Sequence, residues 1–157
     1  MLLNYYSYAL LFTLQLLLIG CGKPSPVAQN AMDLLSIEVV SSEPVEFWVF
    51  NGVIDAAIAA GEKWPQEPVT VVRKFLGGAT VMESVFVLEG PGGNPSSLKF
   101  IVISKGFSDD SVAGERVEGT MELIDDYERN WKITGARSSQ RCWDDRGHQH
   151  FSTKPCV

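Results

Sequence analysis

Glu115 to Ile124 reads ERVEGTMELI. Val117, Gly119, Met121 and Leu123 fall on one side of it and mostly polar residues on the other. That two-residue period marks a strand with one buried face. Working outward, the same character holds on both sides. Upstream, Leu98 to Ser104 (LKFIVIS) is a strand, and Thr80 to Leu88 alternates more loosely. The turn Gly90-Pro91-Gly92-Gly93-Asn94-Pro95 separates these two, and Phe107 to Asp110 turns again. Downstream, Asp125-Asp126 makes a further turn, and Trp131 to Ala136 continues into a cysteine-bearing tail.

Before Gly78 the grammar is helical. Val53 to Ala60 (VIDAAIAA) is Ala-rich, with Val53, Ala57 and Ala60 on one face and Gly61 as a stop. Glu67-Pro68, then Val69, Val72, Phe75 and Leu76, then Gly77-Gly78, has the start and stop of a short second helix. Its β-branched valines leave a strand as the alternative. Pro65 breaks the chain after Trp64. Leu34 to Val40 (LLSIEVV) is expected to form a short first strand. Ser41 to Pro44 is expected to turn or start a helix, Val45 to Phe50 extends either way, and Asn51-Gly52 reads as a turn. Helices followed by a meander predict an α+β fold, with N-terminal helices packed on one face of an antiparallel sheet of about four strands. The element order over roughly 43–143 is similar to the cystatin-like and NTF2-like architectures. Such a shape hosts enzymes, ligand binders and inert partners alike.

The chain of 157 residues carries 45% apolar and 20% charged residues, which suits one globular domain with a real core. The net charge of −6 argues against nucleic acid as a partner, since that needs clustered Lys and Arg. The charge is unevenly placed. Before Arg129 there are 7 basic and 17 acidic side chains, and from Arg129 onward 6 and 2. A basic tail packed against an acidic body accounts for this, and a patch for an anionic partner is the sharper alternative.

Tyr8 to Ile19 (YALLFTLQLLLI) is an apolar run of signal-peptide length, too short to span a bilayer comfortably. It runs into Leu18-Ile19-Gly20-Cys21, which resembles a bacterial lipobox. The resemblance implies that residues 1–20 are a lipoprotein signal peptide and that Cys21 is lipidated. The mature chain is then held to the membrane by several acyl chains, enough for stable anchoring. No Lys or Arg precedes the run, and an uncleaved signal anchor is the alternative. Gly22, where retained lipoproteins carry Asp, implies outer-membrane delivery if the host has two membranes. Residues 21–33 are expected to be the lipidated cysteine and a flexible tether, and 34–157 a single α+β domain.

Once Cys21 is lipidated, Cys142 and Cys156 remain. In an exported chain they read as a disulfide closing a loop of about 15 residues, worth roughly 3 kcal/mol. Within that loop Cys142, His148, His150 and Cys156 are spaced C-x5-H-x-H-x5-C. On an extended segment His148 and His150 share a face and reach one metal, with Asp144 and Asp145 as oxygen donors. The spacing matches no common zinc signature, and hydrogen-bonded loop histidines are the alternative. The tail from Arg141-Cys142-Trp143 through Arg146-Gly147-His148 to Phe151-Ser152 and Pro155-Cys156 resembles that of uncharacterised exported bacterial proteins, which implies no activity.

Gly90 to Gly93 lacks the Lys-Ser/Thr of a phosphate loop, and no Gly-x-Ser-x-Gly or His-Glu-x-x-His occurs. Asp109-Asp110 and Asp125-Asp126 sit where solvated turn carboxylates are expected. Trp48, Trp64, Trp131 and Trp143 are expected to pack in the core or on a sheet face. No catalytic residue, metal or cofactor is expected. The sequence therefore predicts a non-catalytic, lipid-anchored envelope domain that binds or supports another envelope component. The alternatives are a small enzyme or ligand binder with a pocket on the sheet's concave face, using His148 or His150 and Asp145, or metal binding through those histidines.

Overall fold

The computed structural model describes residues 26–77, 83–92, 95–105, 110–125 and 127–157. The 1–20 leader, the Leu18-Ile19-Gly20-Cys21 box, Asp109 and Asp126 lie outside the described residues. Helix α1 spans Pro26–Leu35, strand β1 Glu43–Pro44, helix α2 Trp48–Ala59 and helix α3 Pro68–Phe75, with a 3-10 turn at Trp64–Gln66 between α2 and α3. Four long strands follow: β2 Glu83–Glu89, β3 Ser97–Lys105, β4 Val112–Leu123 and β5 Trp131–Cys142. They form an antiparallel meander that β1 extends, giving a five-stranded sheet in the order β1-β5-β4-β3-β2.

The fold is α+β, with two corrections. The sheet has five strands and not four, because Glu43 and Pro44 pair with Ser138 and Arg137 at the β5 edge. The helices are not confined to one face. On β3, Phe100 and Val102 enter a cluster with Ile54 of α2, Val71 and Val72 of α3, and Val117, Met121, Trp131, Ile133 and Ala136. The alternate residues Ile101 and Ile103 point the other way. They meet Leu34 of α1 and Phe151 of the tail in a second cluster.

Local chemistry explains where the sequence and the fold part. Leu34 and Leu35 close the last turn of α1 instead of starting a strand, and from the expected strand only Val39 makes a bridge, to Phe151. Helical structure also replaces the expected tether from Pro26 onward. Asn51-Gly52 lies inside α2 and does not turn. The Asn51 amide donates to the Ile133 carbonyl at 2.8 Å and accepts the Ile133 N–H at 3.1 Å. One side chain thus stands in for a missing neighbour strand on the outer edge of β5, beside the bulge where the register slips around Thr134. The buried face of α2 is Ile54 and Ala57, while Val53 is 52% exposed. In α3 Pro68 sits in the first turn, and Gly77 with φ +81 follows the end, as the sequence predicts.

An aromatic chain ties the layers together. Trp64 and Phe50 have ring centroids 6.1 Å apart, Phe50 and Phe75 5.5 Å, and Phe75 and Phe100 6.5 Å. Of the tryptophans, Trp131 is buried, while Trp48 and Trp143, expected in the core or on a sheet face, are 60% and 47% exposed. Phe100 lies over its cross-strand partner Gly119. A Cβ there would fall against the Gly135 carbonyl and within 2.6 Å of Phe100 Cζ. Gly119→Ala is therefore expected to destabilise the domain by about 2 kcal/mol or more, read as a lowered urea midpoint with an unchanged slope.

Candidate functional site

The tail after β5 is an irregular segment held by a disulfide and a dense set of hydrogen bonds. Cys142, fully buried, bonds to Cys156 with the Cα atoms 5.5 Å apart. Between them the chain reverses through a short hydrogen-bonded loop. Trp143 N–H donates to Ser111 O at 2.9 Å and Arg146 N–H to Trp143 O at 3.0 Å. Cys142 N–H donates to His148 O at 3.0 Å, and Val157 N–H to Arg146 O at 2.9 Å. The reversal needs left-handed backbone at Asp145 (φ 65) and at Gly147 (φ 141). Gly147 is also held against the disulfide, where a Cβ would come within 2.8 Å of Cys142 Sγ.

The returning strand of the loop is stitched to both neighbours. Phe151 N–H donates to Glu38 O and Val40 N–H to Phe151 O, both at 2.9 Å. Gln140 and Ser152 exchange both main-chain bonds at 2.9 Å. Ser152 Oγ lies 3.0 Å from Ser41 Oγ, and Gln140 Nε2 donates to Lys154 O at 2.9 Å. These bonds seat Phe151 without exposure beneath the sheet. Arg116 covers it, with its guanidinium 5.8 Å from the Phe151 ring centroid. The buried Arg116 is neutralised by Glu118 at 3.1 Å and also donates to Leu35 O at 3.4 Å. A lone buried cation would be costly, so this pairing is what permits it.

His148 and His150 stack with ring centroids 5.1 Å apart. His148 Nδ1 lies 2.8 Å from His150 O, and its Nε2 lies 2.9 Å from Lys154 O. Hydrogen bonding to the loop backbone thus accounts for His148. The donor atoms that converge are those of Cys142, His148 and Cys156, all within 4.8 Å of one another. Among the described residues His150, Asp144 and Asp145 do not join that group. Asp144 and Asp145 are exposed.

Other expected features resolve as follows. Asp125 organises a turn. Its carboxylate accepts from the main-chain N–H groups of Glu128 and Arg129, and from Asn130 Nδ2 at 3.1 Å. Removal from water pushes this carboxyl up, but those donors outweigh it and hold the group below the ordinary aspartate range. Among the described residues, ion pairs join the basic C-terminal part to the acidic body, Lys132 to Asp55 at 2.5 Å and Arg146 to Asp110 at 3.6 Å. A groove of about 680 Å³ opens beside α2, the 3-10 turn and α3, lined by Phe50, Val53, Glu62, Trp64 and Lys74. Lys74 Nζ stands 5.0 Å from the Trp64 ring centroid, and Trp64 Nε1 donates to Glu62 at 2.6 Å. The groove does not lie on the sheet, whose first face is filled by the core residues of β3, β4 and β5. No described helix is long and apolar enough to cross a membrane.

The structural roles of Arg116, Asn51 and Gly147 are not read from the sequence, which marks Asn51 only as a turn residue. Gly147 carries a signal, a glycine inside a cysteine-closed loop, and it is expected to be irreplaceable. Gly147→Ala should cost about 1–3 kcal/mol, seen as a lowered thermal midpoint of the oxidised protein. A pH test addresses β4, the neighbour of β5, whose end carries the clasp closed by Cys142–Cys156. Burial pushes the Glu115 carboxyl, opposite Gln140 on β4, above its ordinary value. A raised carboxyl favours the fold while protonated and loses that contribution as pH climbs through its folded pKa. Glu115→Gln should therefore raise stability at neutral pH, and the gain should vanish below about pH 4, where the unfolded glutamate is also protonated. Urea titrations at the two pH values check this.

No known protein family matches the chain, and neither a curated protein nor a solved structure matches it.

Proposed function

We propose that this is a lipid-anchored envelope protein whose single domain, expected over 34–157 and extended by α1 back to Pro26, binds or supports another envelope component and performs no catalysis of its own. The observation that carries this reading is the Cys142–Cys156 disulfide downstream of the Leu18-Ile19-Gly20-Cys21 box. Persistent disulfides belong to oxidising compartments, and the box is the signal for export with lipid attachment on Cys21. Delivery to the outer membrane, where the host has one, is part of the same proposal, as is the cystatin-like or NTF2-like reading of the element order. A binding role is supported by the solvent-facing surface of α2, where Trp48, Val49 and Val53 are each more than half exposed. Exposed aromatic and branched residues close together are characteristic of contact surfaces.

A second reading is a ligand-binding domain, favoured by the groove beside α2 and α3. Its polar groups are Glu62 and Lys74, in place of His148, His150 and Asp145.

Expression in a bacterial host with wild-type and Cys21→Ala chains tests the anchor. The wild type is expected to fractionate with membranes, to lack residues 1–20 and to gain the mass of a diacylglyceryl group and an acyl chain. Cys21→Ala is expected to lose both lipidation and cleavage at Gly20. A mature wild-type chain that keeps its leader, or one that carries no lipid, defeats the proposal.

A further inference from the structure

We propose that opening the Cys142–Cys156 bond creates a soft-metal site, in which the two thiolates and His148 take one zinc-class cation. The site rests on the geometry of the clasp and stands apart from the lipid anchor. The three donor atoms already lie within 4.8 Å of one another. Zinc binds sulfur at about 2.3 Å and imidazole nitrogen at about 2.0–2.1 Å, so its ligands sit roughly 3.5–3.8 Å apart. The Cα atoms, 5.5 Å apart, need little movement for the sulfurs to part that far.

A second observation points the same way. Each ring nitrogen of His148 faces a backbone carbonyl, that of His150 or that of Lys154. Coordination through one nitrogen gives up its carbonyl and swings the rigid ring, and the N–H on the other nitrogen still has a backbone carbonyl nearby to bond, the arrangement that fixes tautomer and orientation in metal-ligating histidines. Gly147, pressed against Cys142 Sγ, holds His148 next to the sulfurs. Two thiolates supply the charge that neutralises a divalent ion, and three protein ligands leave a fourth position for water or an exogenous donor.

The opening step is thiol–disulfide exchange with an external dithiol. Its thiolate attacks Cys156 Sγ, since Cys142 is fully buried and Cys156 is not. The S–S bond breaks, Cys142 leaves as thiolate, and a mixed disulfide forms. The second external thiol displaces Cys156 and the reductant departs as its own disulfide. Two electrons pass to the protein, and metal binding then releases the two thiol protons.

The full chain in a Cys21→Ser background, so that no third thiol competes, is reduced with a phosphine and titrated with Co²⁺. One equivalent is expected to give a thiolate-to-cobalt charge-transfer band that Zn²⁺ abolishes, while the oxidised chain gives none. His148→Ala is expected to weaken Co²⁺ binding by about tenfold or more, and His150→Ala to leave it unchanged. Absence of the band at one equivalent overturns the proposal, as does equal affinity in the His148→Ala chain. Circular dichroism of the reduced chain runs alongside. Metal binding to an unfolded dithiol would be independent of His148, and so would overturn it as well.

Discussion

The Cys142–Cys156 bond forces the chain to return along its own path, and the second face of the sheet depends on where that return puts Phe151. An aromatic ring of that size, once fully buried, contributes roughly 1.5–3 kcal/mol. It fills the space between Ile103 and the end of α1. Without the ring in place, Arg116 would lose the surface it stacks on while remaining out of water with Glu118. The covalent bond, the backbone ladder at 38–40 and 150–152, and the buried ion pair therefore form one cooperative unit. Each part makes the position of the others affordable in free energy.

The first face is organised by a different rule. Rings at Trp64, Phe50, Phe75 and Phe100 run from the 3-10 turn through both helices onto β3. Phe100 then lies flat on a strand because Gly119 opposite it has no side chain. Glycine inside a strand normally weakens it, and here the ring of its partner covers the gap. Branched side chains at Val71 and Val72 complete the seal.

The long strands were legible because β3 carries a short β-branched apolar run and β4 alternates from Val117 to Leu123. The helix over Pro68–Phe75 was legible from proline at one end and glycine at the other. The disulfide pairing followed once Cys21 was set aside. What sequence reasoning missed is what tertiary contacts decide. Asn51-Gly52 has turn chemistry, but the Asn51 amide finds the unpaired edge of β5 and the helix runs on through it. Leu34 and Leu35 suit a strand or a helix equally, and the pocket beside Ile103 and Phe151 selects the helix. The two-residue β1 has no pattern to read, since Glu43 and Pro44 form a strand only because β5 is there. In the tail, both histidines were visible, but the converging group pairs His148 with the cysteines instead of with His150.

The bridge between Val39 and Phe151 joins the segment after α1 to the segment before Cys156, so the two ends of the domain meet on one face. A pull applied from the N-terminal side meets first the packing of Leu34 on Ile103 and then, through that bridge, the main-chain bonds of the tail. Because the segments there run parallel, their hydrogen bonds are loaded together, in shear, and not one after another. Behind them the closed 142–156 loop cannot lengthen, and it joins directly to β5, which lies between β1 and β4. Tension there would load a ladder and a closed loop on the sheet's second face, the face opposite the one that α2 and α3 cover.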